Sequence, residues 1–197
     1  MTPVPLRADL AAVADAVPHG AHVLDIGCGD GHLLAWLRDT KGVEGRGLEL
    51  DAGNVASAVA RGLAVMQGDA DTDLADYPDA AFDVVILSNT LQAMRRPAAV
   101  LDQLVRIGRR AIVSFPNFGH WRVRLGLSLG GRMPVTPSLP VSWHETPNIH
   151  LCTIADFEAL AAAMGLTIER RAALHSGRPA ALWPNLTADT GVFVLSR

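Results

Sequence analysis

Residues 21 to 31 read Ala21-His22-Val23-Leu24-Asp25-Ile26-Gly27-Cys28-Gly29-Asp30-Gly31, and a helix-like run from His32 to Asp39 follows. A strand that breaks into alternating glycines and restarts as a helix is the opening unit of an open α/β sheet. Glycines at such a turn let the backbone come close to a bound nucleotide and adopt positive φ. The helix that starts there points its free N–H groups at the ligand. A nucleotide-like ligand is the first expectation.

The carboxylates among the glycines narrow the ligand. A dinucleotide fingerprint runs G-x-G-x-x-G, whereas this turn runs D-x-G-x-G-x-G. A carboxylate ~5 Å from a phosphate costs on the order of 3 kcal/mol at an effective dielectric near 20. With Asp25 and Asp30 both in the turn, a pyrophosphate is disfavoured. A ligand carrying a sulfonium and an α-amino group but no phosphate is attracted, which fits S-adenosylmethionine.

Two further strand ends complete the expected pocket. Gly45-Arg46-Gly47-Leu48-Glu49-Leu50-Asp51 reads as a second strand ending in a carboxylate. Glu49 lies about 18 residues beyond Gly31, near the spacing at which an acidic side chain accepts ribose hydroxyls. A third strand ends in Met66-Gln67-Gly68-Asp69-Ala70, where Asp69 is placed to accept from the adenine amino group. The expected cofactor set is Asp25, Gly27, Cys28, Gly29, Glu49, Leu50, Asp69, Ala70 and Ser88. Asp51 is read separately, as the N-cap of a helix from Ala52.

Composition sets the outer bounds. A chain of 197 residues with 49% hydrophobic content fits a single α/β domain with one ample core. A net charge of −3 argues against nucleic-acid binding by phosphate neutralisation. Cys28 and Cys152 make no disulfide framework, and no His/Cys cluster has metal-ligand spacing, so no metal is expected. Without a signal-type N-terminus or an apolar run of membrane-spanning length, a cytoplasmic protein is expected.

Strand-like and helical runs alternate along the chain. Helices are expected at 6–17, 31–38, 53–61 and 98–107, the last preceded by Pro97, a residue favoured at helix starts. Strands are expected at 23–26, 44–50, 64–67, 82–88 and 110–115. Phe82 to Leu87 is an almost continuous apolar run of the doubly covered kind, so the sheet is read as mostly parallel. Thr153 and Asp156 form an acidic capping box for a helix that reaches Met164 and is stopped by Gly165. Strands at 166–171 and 191–196, near the end of the chain, suit an antiparallel hairpin at the sheet edge.

The segment 117–152 breaks the alternation. Pro134, Pro137, Pro140 and Pro147 rule out one continuous helix, and ~35 residues exceed an ordinary connection, so a lid or docking surface is expected there. Phe118, His120, Trp121, Arg122, Trp143, His144 and His150 make up the expected partner or substrate surface. No catalytic residue is assigned. Each of the three histidines is better read as a hydrogen-bonded packing residue than as a general base.

The strings Leu24-Asp25-Ile26-Gly27-Cys28-Gly29-Asp30-Gly31, Ser114-Phe115-Pro116-Asn117-Phe118-Gly119-His120-Trp121-Arg122 and Thr146-Pro147-Asn148-Ile149-His150-Leu151-Cys152-Thr153 resemble the methionine biosynthesis protein MetW family, from about Val23 to Leu174. The resemblance implies a Rossmann-like class I methyltransferase fold with a mostly parallel seven-stranded sheet. It also implies S-adenosylmethionine or S-adenosylhomocysteine as ligand and a homoserine O-acyltransferase (MetX-like) as partner. Two roles follow. In the first, a ligand-binding protein of methionine biosynthesis supports or regulates the acyltransferase. In the second, it methylates a small acceptor held under the insertion. Ser88-Asn89-Thr90-Leu91-Gln92 lacks the NPPY-type sequence of amino methylation on nucleic acids.

Overall fold

In the computed structural model, which describes residues 5–136 and 139–197, the alternation folds into one eight-stranded sheet flanked by helices. The chain runs through α1 (Ala8–Ala16), β1 (His22–Ile26), α2 (His32–Lys41), β2 (Glu44–Glu49), α3 (Ala52–Ala60) and β3 (Ala64–Gln67). It continues through β4 (Phe82–Ser88), α4 (Pro97–Ile107), β5 (Gly108–Pro116), α5 (Trp121–Gly130) and α6 (Ile154–Ala163). The last elements are β6 (Thr167–His175), β7 (Arg178–Pro179), α7 (Pro184–Thr187) and β8 (Thr190–Ser196).

Strand order is β3-β2-β1-β4-β5-β8-β6-β7. The first five pair in parallel, with Asp25 opposite Gly47 on one side and Ile86 on the other. β8 runs antiparallel to both β5 and β6. The antiparallel end was expected, but it is not a simple hairpin. β8 inserts between β5 and β6, and the two-residue β7 adds an eighth strand at the edge.

Alternate strand residues feed two cores, as a covered sheet requires. Leu24, Ile26, Val85, Leu87 and Phe115 face α4 and α6, where Phe115, Phe157 and Phe193 cluster with ring centroids 4.6 to 5.7 Å apart. Val23, Val84, Ile86 and Ile112 face α1, α2 and α3. Asp25 lies on this second face of β1, where Val23 is apolar and buried.

Local signals held at the helix ends. The Asp51 carboxylate accepts from Asn54 N at 2.8 Å as the N-cap of α3, and Pro97 occupies the first turn of α4. Thr153 and Asp156 form the full capping box of α6. The insertion, in contrast, contains a ten-residue helix, α5, that the prolines around it obscured. Pro137 lies outside the described residues.

Candidate functional site

The strand order reverses between β1 and β4, and the carboxyl ends of those strands leave a crevice there, the usual ligand position in an open α/β sheet. A cavity of about 390 Å³ occupies this point, lined by Arg7, Leu10, Asp25, Gly27, Cys28, Gly29, Asp30, His32, Leu33 and Ser88. The glycine turn forms one wall. Its backbone continues the sheet through Gly27 N, which donates to Leu48 O at 2.7 Å.

Glu49 ties the turn to the end of β2. Its Oε2 accepts from Gly29 N at 2.8 Å and its Oε1 from Asp51 N at 3.0 Å. A carboxylate carries about four lone-pair sites, so Glu49 keeps capacity for hydroxyl donors while it holds the loop. Asp30 has local work: Oδ1 accepts from His32 N at 3.2 Å, and Oδ2 pairs with Arg61 at 2.6 Å.

Asp25 differs from both. It is 2% exposed, lines the cavity, and receives no hydrogen bond among the described residues. Burial, and then the nearby Glu49 charge, pushes its carboxyl up to about 8. Cys28 beside it is buried, and its thiol is pushed up to about 12 by burial and then by Asp25 and Glu49. At neutral pH both groups are protonated, and Cys28 is not a nucleophile.

At the end of β3, Asp69 is half-buried and shapes its own turn. Asp69 Oδ1 accepts from Asp71 N at 2.9 Å, and Asp69 N donates to Asp73 Oδ2 at 2.9 Å. Ala70 adjoins it, and Leu50 is exposed beyond the end of β2. Ser88 closes β4, its hydroxyl 2.9 Å from that of Ser114.

Sequence reasoning missed the wall built by the N-terminus. Arg7 and Leu10 reach the cavity because α1 packs across the sheet, and no local motif marks them. Asp9 pairs with Arg7 at 2.9 Å and accepts from Asn89 Nδ2 at 2.7 Å, and Asn89 sits at φ +52° just beyond β4. A second cavity of about 450 Å³ shares Arg7 with the first and is lined by Asp9, Asn89, Gln92, Asn148 and Asp189 among others.

The insertion is anchored at its root. Asn117, fully buried, accepts on Oδ1 from Gly119 N and Ile154 N, and its Nδ2 donates to Ala188 O and Asn185 O. Ile149 N and His150 N both donate to Gln92 O at 2.9 Å, tying the far end of the insertion to the cavity rim. Trp121 is 42% exposed, with the Arg122 guanidinium 5.3 Å from its ring centre, and Trp143 is 72% exposed. His144 and His150 are also exposed, and Phe118 is half-buried.

His120 corrects the expected surface. It is 4% exposed, its Nδ1 accepts from Arg122 N as the cap of α5, and its ring stacks 5.3 Å from His175. Burial, then the His175 charge, lowers its pKa. A neutral packing imidazole serves the cap better than a charged one, so His120 supports the insertion from below. Among the described residues, no group of His, Cys, Asp and Glu is placed to hold a metal ion, and no helix is long and apolar enough to cross a membrane.

A mostly parallel sheet with an antiparallel end, a glycine turn after β1 and a carboxylate at the end of β2 define the Rossmann-like class I methyltransferase fold. Solved structures share it. An S-adenosylmethionine-dependent methyltransferase from Mesorhizobium loti superposes with a TM-score of 0.72 at 17% identity, over 96% of this chain and 98% of that one. A methyltransferase from Haloferax volcanii, in complex with the Trm112 methyltransferase activator, gives 0.70 at 19% identity, over 96% and 89%. At these identities the likeness concerns the fold.

The chain belongs to the methionine biosynthesis protein MetW family, whose model matches residues 7–195. The match extends on both sides of the stretch from about Val23 to Leu174 that carries the resemblance in the sequence. A curated relative from Rhodopirellula baltica, the bifunctional methionine biosynthesis protein MetXA/MetW, is 34% identical over 98% of this chain. The chain spans about a third of that relative's length, 33%.

Proposed function

We propose that this protein binds S-adenosylmethionine or S-adenosylhomocysteine at the glycine turn and, in response, supports or regulates a homoserine O-acyltransferase with which it associates. The observation that carries the reading is the relative whose single chain bears both the MetXA and the MetW names. Fusion holds two partners at high effective concentration, so separate chains of the same pair need a binding surface of their own. The insertion is suited to that task. Trp121, Trp143 and Ile149 are exposed on it, and Arg122 stacks on Trp121, a composition typical of interface hot spots.

The pocket chemistry supports a sensing role. Asp30 and Ser88 are engaged in structural bonds, and the Cys28 thiol stays protonated. A ligand alters a partner's activity only through different affinities for two states, and partner binding must change ligand affinity in return. The 450 Å³ cavity that shares Arg7 with the glycine-turn cavity favours a second reading, methyl transfer to a small acceptor held near Asn89, Gln92 and Asn148. Proximity to the sulfonium alone would drive that transfer if the acceptor is already nucleophilic.

Pull-down of the acyltransferase combined with an acyl-transfer assay tests the first reading. Co-elution and a rate that responds to S-adenosylmethionine are expected. Unchanged rate and elution position would remove the regulatory role. Calorimetric titration tests the ligand: Glu49→Ala should weaken binding by a few kcal/mol, since it removes both ribose acceptors and the tether of Gly29.

A further inference from the structure

His120 stands at the junction of the sheet and the insertion, and its bonds hold the first turn of α5 in place. Nδ1 accepts from Arg122 N at 3.3 Å, while the His120 carbonyl accepts from Val123 N at 3.0 Å and Arg124 N at 3.1 Å. A ring nitrogen that accepts carries no proton, so the neutral ring holds its one proton on Nε2. That Nε2 is buried and has no hydrogen-bond partner among the described residues. The residue is 4% exposed, and the His175 ring lies nearly parallel to it, with centroids 5.3 Å apart and planes 6° apart.

The surroundings oppose a charge on this ring. From α5 come the Arg122 guanidinium and the helix N-terminus, whose free N–H groups carry partial positive charge. From β6 comes His175, and two imidazoles stacked this closely do not both ionise without cost. From the residue before β8 comes Asp189, the counter-charge in reach. Its Oδ2 is taken up by Ser176 N at 2.8 Å and faces His175 Nδ1 at 3.4 Å. A proton on His120 Nδ1 also turns the cap acceptor into a donor aimed at the Arg122 N–H.

We propose that His120 and His175 form an acid-sensitive latch, in which a proton on His120 removes the cap of α5 and releases the root of the insertion from the sheet. The latch works in the chain alone, with neither partner nor ligand. Burial, and then the His175 charge, hold His120 below the ordinary histidine value of about 6.5. In the released state the ring meets water and returns to that value, so release takes up a proton. The closed state is therefore fully favoured above the ordinary value and loses ground as pH falls below it, by up to tenfold per pH unit. Release carries with it Trp121, whose ring centre is 5.8 Å from that of His120, and Arg122, which stacks on Trp121. Acid thus reshapes the exposed face of the insertion.

Hydrogen exchange on the full chain, measured by NMR between pH 7.5 and pH 5.5, tests this. Helix α6 serves as the internal reference, because its cap is built from Thr153 and Asp156 and contains no histidine. Protection of the Arg122, Val123 and Arg124 amides relative to those of α6 should fall several-fold across that range, and the ratio cancels the intrinsic pH dependence of exchange. His120→Asn puts a strong cap without a titrating ring at the same position and should keep the ratio constant. His175→Phe keeps a stacked ring but removes its charge, so it should shrink the loss, and it decides the matter should His120→Asn fail to fold. A ratio that stays constant in the parent, a loss that survives His120→Asn, or a loss of full size in His175→Phe overturns the pair as the latch.

Discussion

The glycines of the turn look equivalent in the sequence and differ sharply in the fold. Gly31, at φ +77°, sits where a Cβ would stand 2.3 Å from Leu63 Cδ1 and 3.0 Å from Ala58 Cβ. Gly29, at φ +56°, has nothing within 4 Å of that position. Gly31 is thus required by the packing of α2 on α3, whereas Gly29 keeps the cavity wall low for a ligand. Gly31→Ala should destabilise the protein by about 2 to 4 kcal/mol, combining left-handed strain with overpacking. Gly29→Ala should cost about 1 kcal/mol of stability yet weaken S-adenosylmethionine binding tenfold or more. Urea denaturation and ligand titration on the two variants separate these effects, and equal stability losses would contradict the assignment. Spacing was enough to find Asp25, Glu49 and the turn. It could not say that Glu49 would hold Gly29, that Asp25 would stand unpartnered, or that Arg7 would close the cavity, since those depend on which surfaces meet.

Among the elements, those with strong local signals formed where they were expected. The α6 capping box and the Asp51 cap each rest on a few neighbouring residues, so their physics is visible along the chain. The insertion is different. Its path depends on Asn117, whose amide satisfies backbone groups at 119, 154, 185 and 188 at once. Truncating that side chain leaves several buried groups without partners, at about 1 to 3 kcal/mol each where they stay dry. Asn117→Ala should therefore destabilise by on the order of 3 kcal/mol or more, against about 1 kcal/mol for Thr153→Ala at the helix cap. Denaturant midpoints measured on both should show that order, and comparable losses would mean that Asn117 is not the anchor. β6 exceeded its expected length because the strand continues through Ala172, Ala173 and Leu174 opposite β8, a pairing set by a partner 16 or more residues away.

Over the whole molecule, the glycine turn and the exposed part of the insertion are separate surfaces, and Gln92 ties the insertion to the second cavity instead. That residue is 6% exposed, lines the second cavity, and accepts from Ile149 N and His150 N. The proposed partner surface can therefore be damaged without touching the glycine turn. Trp121→Ala combined with Trp143→Ala should weaken acyltransferase binding tenfold or more, while S-adenosylmethionine affinity stays within twofold of the parent. Pull-down and titration on the same preparation check this. Loss of both properties together would place the tryptophans in the fold rather than at an interface.

Periodicity, glycine spacing and helix caps are relations between near neighbours, so the amino-acid order alone carried the parallel α/β sheet, the glycine turn, the carboxylate that ends β2 and the capped α6. Burial and partnership are relations between distant segments, and they exist only once the two cores have closed. For that reason folding alone decided that of the three histidines His120 is the inner support, that α1 supplies a wall of the cavity, and that Asp25 stands desolvated beside Glu49 without a donor among the described residues.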